Sequence, residues 1–297
     1  MSVFRLAHLS DPHLGPLPSV RPLDLASKRI FGYLNWHGNR RRAMESTTLE
    51  RLTDDIARSA PDHVAVTGDL VNIALPEEFD AAAGWLESLG PPRDVSVVPG
   101  NHDAYVPGAL QRAVSAWSAF LSDDQTGDRG AFPFVRVRPP VAIVGVSTAV
   151  ATPPLLATGW VGEAQAKALV RRLEILGRER LFRIVLIHHP PIPGLAPRRK
   201  RLVDAWRVRR AVGEAGCELI LHGHTHLASI ARIEGAHGAI PVVGVPSASE
   251  SGHHGEAARW NLFEIGTRKA AHACVLVERG ARRPGEAPVE LTRHVLA

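Results

Sequence analysis

The chain has 297 residues, 45% of them hydrophobic, with a formal net charge of +5. That apolar share supplies a substantial core and excludes a disordered chain. Two cysteines, Cys217 and Cys274, exclude a disulfide framework and point to a reducing compartment. Phe4–Ser10 is a short apolar run that stops at Asp11-Pro12, which predicts a buried strand leading into a loop. The stretch before Asp11 is too short for the apolar region of a signal peptide, so a cytoplasmic protein is expected. Met44–Ser59 carries Met44, Leu49, Leu52 and Ile56 at helical spacing. His63–Thr67 predicts a strand stopped by Gly68-Asp69, and Glu77–Leu89 a helix with Phe79, Ala83 and Leu86 on one face. Val95–Val98 predicts a strand ending at Pro99-Gly100, and Pro107–Leu121 a helix with the proline in its first turn.

The second half repeats this rhythm. Val141–Gly162 has no charged residue, but Gly145, Pro153 and Pro154 interrupt it. Its start, Val141–Val146, predicts a buried strand rather than a membrane span. Gly162–Leu176 and Leu202–Ala215 predict helices, and Arg183–Ile187 and Leu219–Leu221 strands. Ala228–Ile233, Ile240–Val245, Trp260–Ile265 and Ala271–Glu278 are expected as a meander. From Arg279 the chain is rich in Arg, Pro and Gly, and a loose tail over 279–297 is expected. The βαβα order with a β-rich end predicts one α/β domain over 1–278, built on two sheets packed face to face.

Five short polar motifs follow predicted strands, where α/β folds place ligand sites. Asp11-Pro12-His13 is the first; in an extended segment, residues two apart point to one side, so a carboxylate and an imidazole can meet one ion. Gly68-Asp69 is the second, with a glycine that permits a tight turn. Gly100-Asn101-His102-Asp103 is the third: an amide oxygen is an acceptable ligand, and His102, pointing elsewhere, is left to act as an acid. His188-His189-Pro190-Pro191 is the fourth, with one histidine toward the site and its neighbour away. Gly223-His224-Thr225-His226 is the fifth, with paired imidazoles two apart. Each motif alone has an ordinary structural explanation as a turn or a buried pair. Five together, in order and each at a strand end, make a metal site.

This order resembles the calcineurin-like metallophosphoesterases, from Asp11 to His226. The resemblance implies a four-layer αββα sandwich of two mixed β-sheets flanked by helices, with a dinuclear metal site at the strand ends. It implies one ion on Asp11, His13, Asp69 and His226, and a second on Asp69, Asn101, His188 and His224, bridged by Asp69. Mn, Fe, Zn or Co suit such a nitrogen and oxygen set without Cys. Purple acid phosphatases carry Tyr where Asn72 stands and Gly where His13 stands, so the pattern looks instead like the small bacterial phosphodiesterase branch, including cyclic-nucleotide and glycerophosphodiester hydrolases.

A metal-bridging hydroxide would attack phosphorus, with Asp69 holding the ions and His102 giving a proton or stabilising the leaving oxygen. A small anionic phosphodiester is the expected substrate. Two basic stretches are expected on the site's rim. Lys28, Arg29, Arg40, Arg41 and Arg42 lie in a cap segment over about 17–42, interleaved with Ile30, Phe31, Tyr33, Leu34 and Trp36. Arg198-Arg199-Lys200-Arg201 are followed by Arg207, Arg209 and Arg210. They suit anionic lipid, with peripheral contact at the inner membrane face. The cap also looks similar to a lipid-processing branch that cleaves UDP-2,3-diacylglucosamine in lipid A synthesis. A nuclease ranks lower, since no DNA-recognition module is present. His253 and His254 are expected in a loop beside the pocket.

Overall fold

The computed structural model describes residues 3–40, 46–236, 238–252, 255–268 and 271–296. His253 and His254, Arg41 and Arg42, and the side chain of Arg40 lie outside the described residues. Two six-stranded mixed sheets form the centre. In the first, β1 (Phe4–Leu9), β2 (His63–Val66) and β3 (Val95–Val97) run parallel, and β10 (Arg259–Arg268), β11 (Ala271–Gly280) and β12 (Val289–Val295) extend it antiparallel in the order β12-β11-β10-β1-β2-β3. In the second, β5 (Val141–Val146), β6 (Phe182–Ile187), β7 (Leu219–His222) and β9 (Gly238–Gly244) are parallel. Antiparallel edges β4 (Phe134–Arg138) and β8 (Ser229–Gly235) close it in the order β4-β5-β6-β7-β9-β8.

The alternation of side chains along a strand explains the layering. Ile143, Ile184, Leu186, Leu219 and Leu221 belong to one apolar cluster with Leu6, Leu9, Val64 and Val66, which lie on both faces of the first sheet. Their neighbours Ala142, Val144, Val185, Ile187 and Ile220 face the other way, against Leu169, Leu173, Val208 and Val212. Those last four lie on α5 (Glu163–Arg178) and α6 (Ala205–Ala215). On the first sheet, α2 (Ser46–Ser59) and α3 (Pro76–Leu89) contribute Leu49, Leu52, Ile56, Phe79 and Leu86. The four-layer αββα sandwich is therefore present, with α1 (Arg29–Asn35) as the cap.

Four expectations are corrected. The last strands are not one meander: β8 and β9 join the second sheet and β10 and β11 the first. The tail is not loose, because β12 pairs with β11 from Val275↔Val295 to Gly280↔Val289. Its run of exposed, partly charged residues suits an edge strand. The helix expected over Pro107–Leu121 is α4 (Ala109–Ala116), capped by Gly108 at φ 81°, followed by a 3-10 turn, so Pro107 lies outside it. The helix expected from Leu202 begins at Ala205, because Asp204 turns back to accept N–H bonds from Val161 (3.0 Å) and Gly162 (2.8 Å). Val141–Val146 is a fully buried strand, and among the described residues no helix is long and apolar enough to cross a membrane.

Candidate metal centre

Residues after β2, β3 and β7 line one cavity, and those after β1 and β6 lie buried against them, with Asp11 beside His226 and His188 beside Asp69. All five motifs meet there. The loops after β1 and β2 are joined through their backbones: the Asp11, His13 and Leu14 N–H groups donate to the Gly68, Asp69 and Leu70 carbonyls at 2.8–3.1 Å. Gly68 allows the next loop to approach. Its φ is +92°, and a Cβ there would lie 2.6 Å from the Gly100 nitrogen and 2.8 Å from His188 Nδ1.

Residues two apart do share the site, though not by being extended. Asp11 (φ 53°), His13 (40°), Asp69 (55°), His224 (67°) and His226 (56°) all adopt left-handed backbone. Non-glycine residues occupy that region at a cost, and such strain gathers at functional sites. The expectation of an extended segment is corrected: tight turns aim these side chains.

Two groups of candidate ligands result. His226 Nε2 lies 3.1 Å from Asp11 Oδ1 and 3.4 Å from His13 Nε2. His188 Nε2 lies 3.2 Å from Asn101 Oδ1, 3.2 Å from His224 Nδ1 and 3.4 Å from Asp69 Oδ2. Asp69 Oδ2 is also 4.0 Å from His13 Nε2, so one oxygen faces both groups.

Whether these residues suit a cation is decided by where the protons sit. A carbonyl only accepts, so each ring nitrogen bonded to one carries hydrogen. His13 Nδ1 donates to Val71 O (3.3 Å), His188 Nδ1 to Thr67 O (2.6 Å) and His224 Nε2 to Lys200 O (2.7 Å). These carbonyls fix the tautomer, so that each ring in its neutral form offers the lone pair of its opposite nitrogen to the site. Lone pairs facing lone pairs and carboxylates repel unless a cation lies among them, so the donor set fits metal ions.

Electrostatics agree. Burial pushes Asp11 up, but His226 and His188 draw it well below the usual carboxylate range. Burial also pushes Asp69 up, and His188, His102 and His13 outweigh it. Burial and the neighbouring His188 lower His224 to about 3. Burial lowers His188 as well, but Asp69 and Asp11 raise it to about 9, so a metal ion must displace a proton there.

His102 does not point away. It lines the cavity beside Asn101, its backbone N–H donates to Asp69 Oδ1 (2.7 Å), and its Nδ1 donates to Asn72 O (2.5 Å). Its ring stacks on Tyr105 at 5.3 Å. His189 is turned from the carboxylates: Nδ1 accepts from Thr148 Oγ1 (2.7 Å) and Nε2 donates to Ala157 O (3.1 Å). Asn72 donates from Nδ2 to Leu14 O (2.8 Å).

Sequence reasoning gave no role to Asp103. It is fully buried and accepts N–H bonds from Asp69, Leu70, Val71 and Gly100, clamping the loop that carries Asp69. The available signal was its place at the end of the third motif. The basic rim is only partly directed at the site. Lys28 and Lys200 line the cavity. Arg29 instead bonds the Ile73 and Ala74 carbonyls, Arg207 pairs with Asp204, Arg209 bonds Pro191 O, and Arg210 pairs with Glu214.

The sequence profile of the calcineurin-like phosphoesterases matches residues 4–228. The chain belongs to that family. This phosphoesterase is 27% identical over 188 residues to the glycerophosphodiester phosphodiesterase GpdQ of Enterobacter lignolyticus (strain SCF1), covering 63% of this chain. The matched stretch spans 57% of that relative's length. Among solved structures, a dimetal phosphatase from Danio rerio superposes with a TM-score of 0.62 at 14% identity, covering 99% of this chain and 98% of the other. Purple acid phosphatase PPD1 from yellow lupin (Lupinus luteus) seeds gives a TM-score of 0.62 at 12% identity, covering 99% of this chain and 53% of its own. At those identities the two structures share the fold with this phosphoesterase.

Proposed function

We propose that this phosphoesterase is a two-metal phosphodiesterase of the small bacterial branch, acting on cyclic nucleotides or glycerophosphodiesters. Asp11, His13, Asp69 and His226 would hold one ion, and Asp69, Asn101, His188 and His224 the other. The observation that carries this reading is the set of three imidazole N–H groups tied to carbonyls, which turns their lone pairs toward the buried carboxylates. Bound divalent ions, Mn, Fe, Zn or Co, would add Lewis acidity and would activate water there. Asp69 spans the two groups through Oδ2. His102, held at Nδ1 by Asn72 O and braced by Tyr105, is oriented to hold or release a proton for the leaving oxygen.

The reading is tested by removing metal with chelator and adding back each ion, with bis-p-nitrophenyl phosphate, glycerophosphodiesters and cyclic nucleotides as substrates. Metal-dependent diester hydrolysis is expected. Hydrolysis that survives chelation, or activity confined to monoesters, would count against it.

A membrane-associated second reading draws on exposed apolar side chains around the cavity mouth. Phe31 and Leu155 line the cavity, and Leu23 and Leu34 lie on the same cap segment as Phe31. An enzyme acting on lipid-linked diesters at an anionic bilayer would use such a rim. Flotation with vesicles of phosphatidylglycerol and phosphatidylcholine tests it; no binding to either would remove this reading and leave the first intact.

A further inference from the structure

Lys28 stands out among the cavity's side chains. It lies at the start of the cap helix, half-buried, with Nζ 2.8 Å from Thr152 Oγ1 and 3.0 Å from Leu156 O. Its ammonium lies 4.6 Å from the centre of the Tyr105 ring, and that ring stacks on His102. No carboxylate pairs with it among the described residues. Desolvating a cation against neutral acceptors costs free energy, which a hydroxyl, a carbonyl and a ring face offset only in part. An anion entering the cavity would supply the missing partner.

The cap holds this cation in place. Arg29, the next residue, bonds the Ile73 and Ala74 carbonyls at 3.0 and 2.7 Å, close behind Asp69 in sequence. One turn on, a Cβ at Gly32 would lie 2.8 Å from Tyr105 Oη, so the helix rests directly on that ring. Trp36 is buried, and a Cβ at Gly15 would lie 2.7 Å from its ring. Lys28 is thus preorganised, which lowers the ordering cost of binding. It also sits one aromatic ring further out than His102, in a cavity of about 510 Å³ that exceeds the needs of a single phosphoryl group.

We propose that Lys28 is a specificity residue that receives a second anionic group of the substrate, adjacent to the phosphoryl group held over Asp69. The substrate class it selects is phosphodiesters with such a neighbouring anion, such as diphosphate diesters, over diesters bearing one charge. This rests on the phosphodiesterase reading above. Burial draws the ammonium down to about 8 while Asp69 pulls it up, so it remains a cation at neutral pH.

The test compares the manganese-loaded wild type with Lys28→Gln, Lys28→Arg and Thr152→Val. Equilibrium binding of UDP-glucose probes the two-anion class, and hydrolysis of bis-p-nitrophenyl phosphate probes the single charge. Losing one charged hydrogen bond predicts that Lys28→Gln weakens UDP-glucose binding about tenfold to a hundredfold, with KM and kcat for bis-p-nitrophenyl phosphate within about twofold. Lys28→Arg should retain most of the affinity. Thr152→Val, which removes a tether and keeps the cation, should bind UDP-glucose nearly as the wild type does. The proposal is overturned if Lys28→Gln leaves UDP-glucose binding unchanged, if it impairs both probes equally, or if Thr152→Val matches its effect. Absence of bis-p-nitrophenyl phosphate turnover in the wild type would instead sink the phosphodiesterase reading, while the binding comparison still decides the role of Lys28.

Discussion

Asp103→Asn is the sharpest test of how the fold holds the candidate metal site. Asp103 Oδ2 accepts from the Asp69 and Gly100 nitrogens at 2.9 and 2.8 Å. Its Oδ1 accepts from Leu70 and Val71 at 2.9 and 3.2 Å. Burial and the charge of Asp69 push this carboxyl up to about 7, against the pull of those N–H donors. Asparagine keeps the shape but offers one oxygen, so one pair of backbone donors would face an NH2 group. Two buried N–H groups without acceptors cost about 2–6 kcal/mol at about 1–3 kcal/mol each. For a domain of this size that lowers the melting temperature by on the order of 10 °C. Alanine would orphan all four donors, a loss of about 4–12 kcal/mol that rivals the whole stability of an ordinary domain. The Asp69 peptide also loses its anchor, so bound metal should fall in the protein that remains folded. Circular dichroism melting with and without chelator, together with elemental analysis, reads both effects. An Asp103→Asn protein that melts within about 2 °C of wild type and keeps its metal would refute the clamp.

Three further outcomes are expected. His102→Ala should keep its metal content and lose turnover by about a hundredfold or more, as removal of a general acid does; normal turnover on bis-p-nitrophenyl phosphate would sink that role. Asp69→Asn should instead lose metal, because its Oδ2 faces both ligand groups; full occupancy by elemental analysis would contradict the bridging assignment. His188 is raised to about 9 in the metal-free protein, so below that pH an entering ion must displace its proton. Metal affinity should therefore rise about tenfold per pH unit from about 7 to 9 and then level, and calorimetric titrations showing a flat profile would remove this coupling.

Much of the candidate site was legible because each motif is local. Asp11, Asp69, Asn101, His188 and His224 follow directly on apolar runs that form parallel strands, and a strand end fixes where its loop begins. The backbone that aims them was not legible. Spacing of two suggested extended segments, whereas Asp11, His13, His224 and His226 reach the site through left-handed turns. Nothing in a short polar motif states its φ angles, which are set by contacts with other loops. Asp103 was overlooked for the same reason: three of its four partners are about thirty residues away in sequence.

The sequence by itself determined the strand and helix rhythm and the two-sheet class, since these depend on residues close together in the chain, and its motif order, through the family resemblance, implied the candidate metal ligands. Tertiary structure decided the rest. Strand pairing placed β8 and β9 in one sheet and β10 to β12 in the other, because a sheet edge recruits any compatible strand regardless of chain order. Packing also sorted the basic residues, tying Arg29, Arg209 and Arg210 to protein partners while turning Lys28 into the cavity. Charge is written in the sequence, but its direction depends on what the fold sets against it.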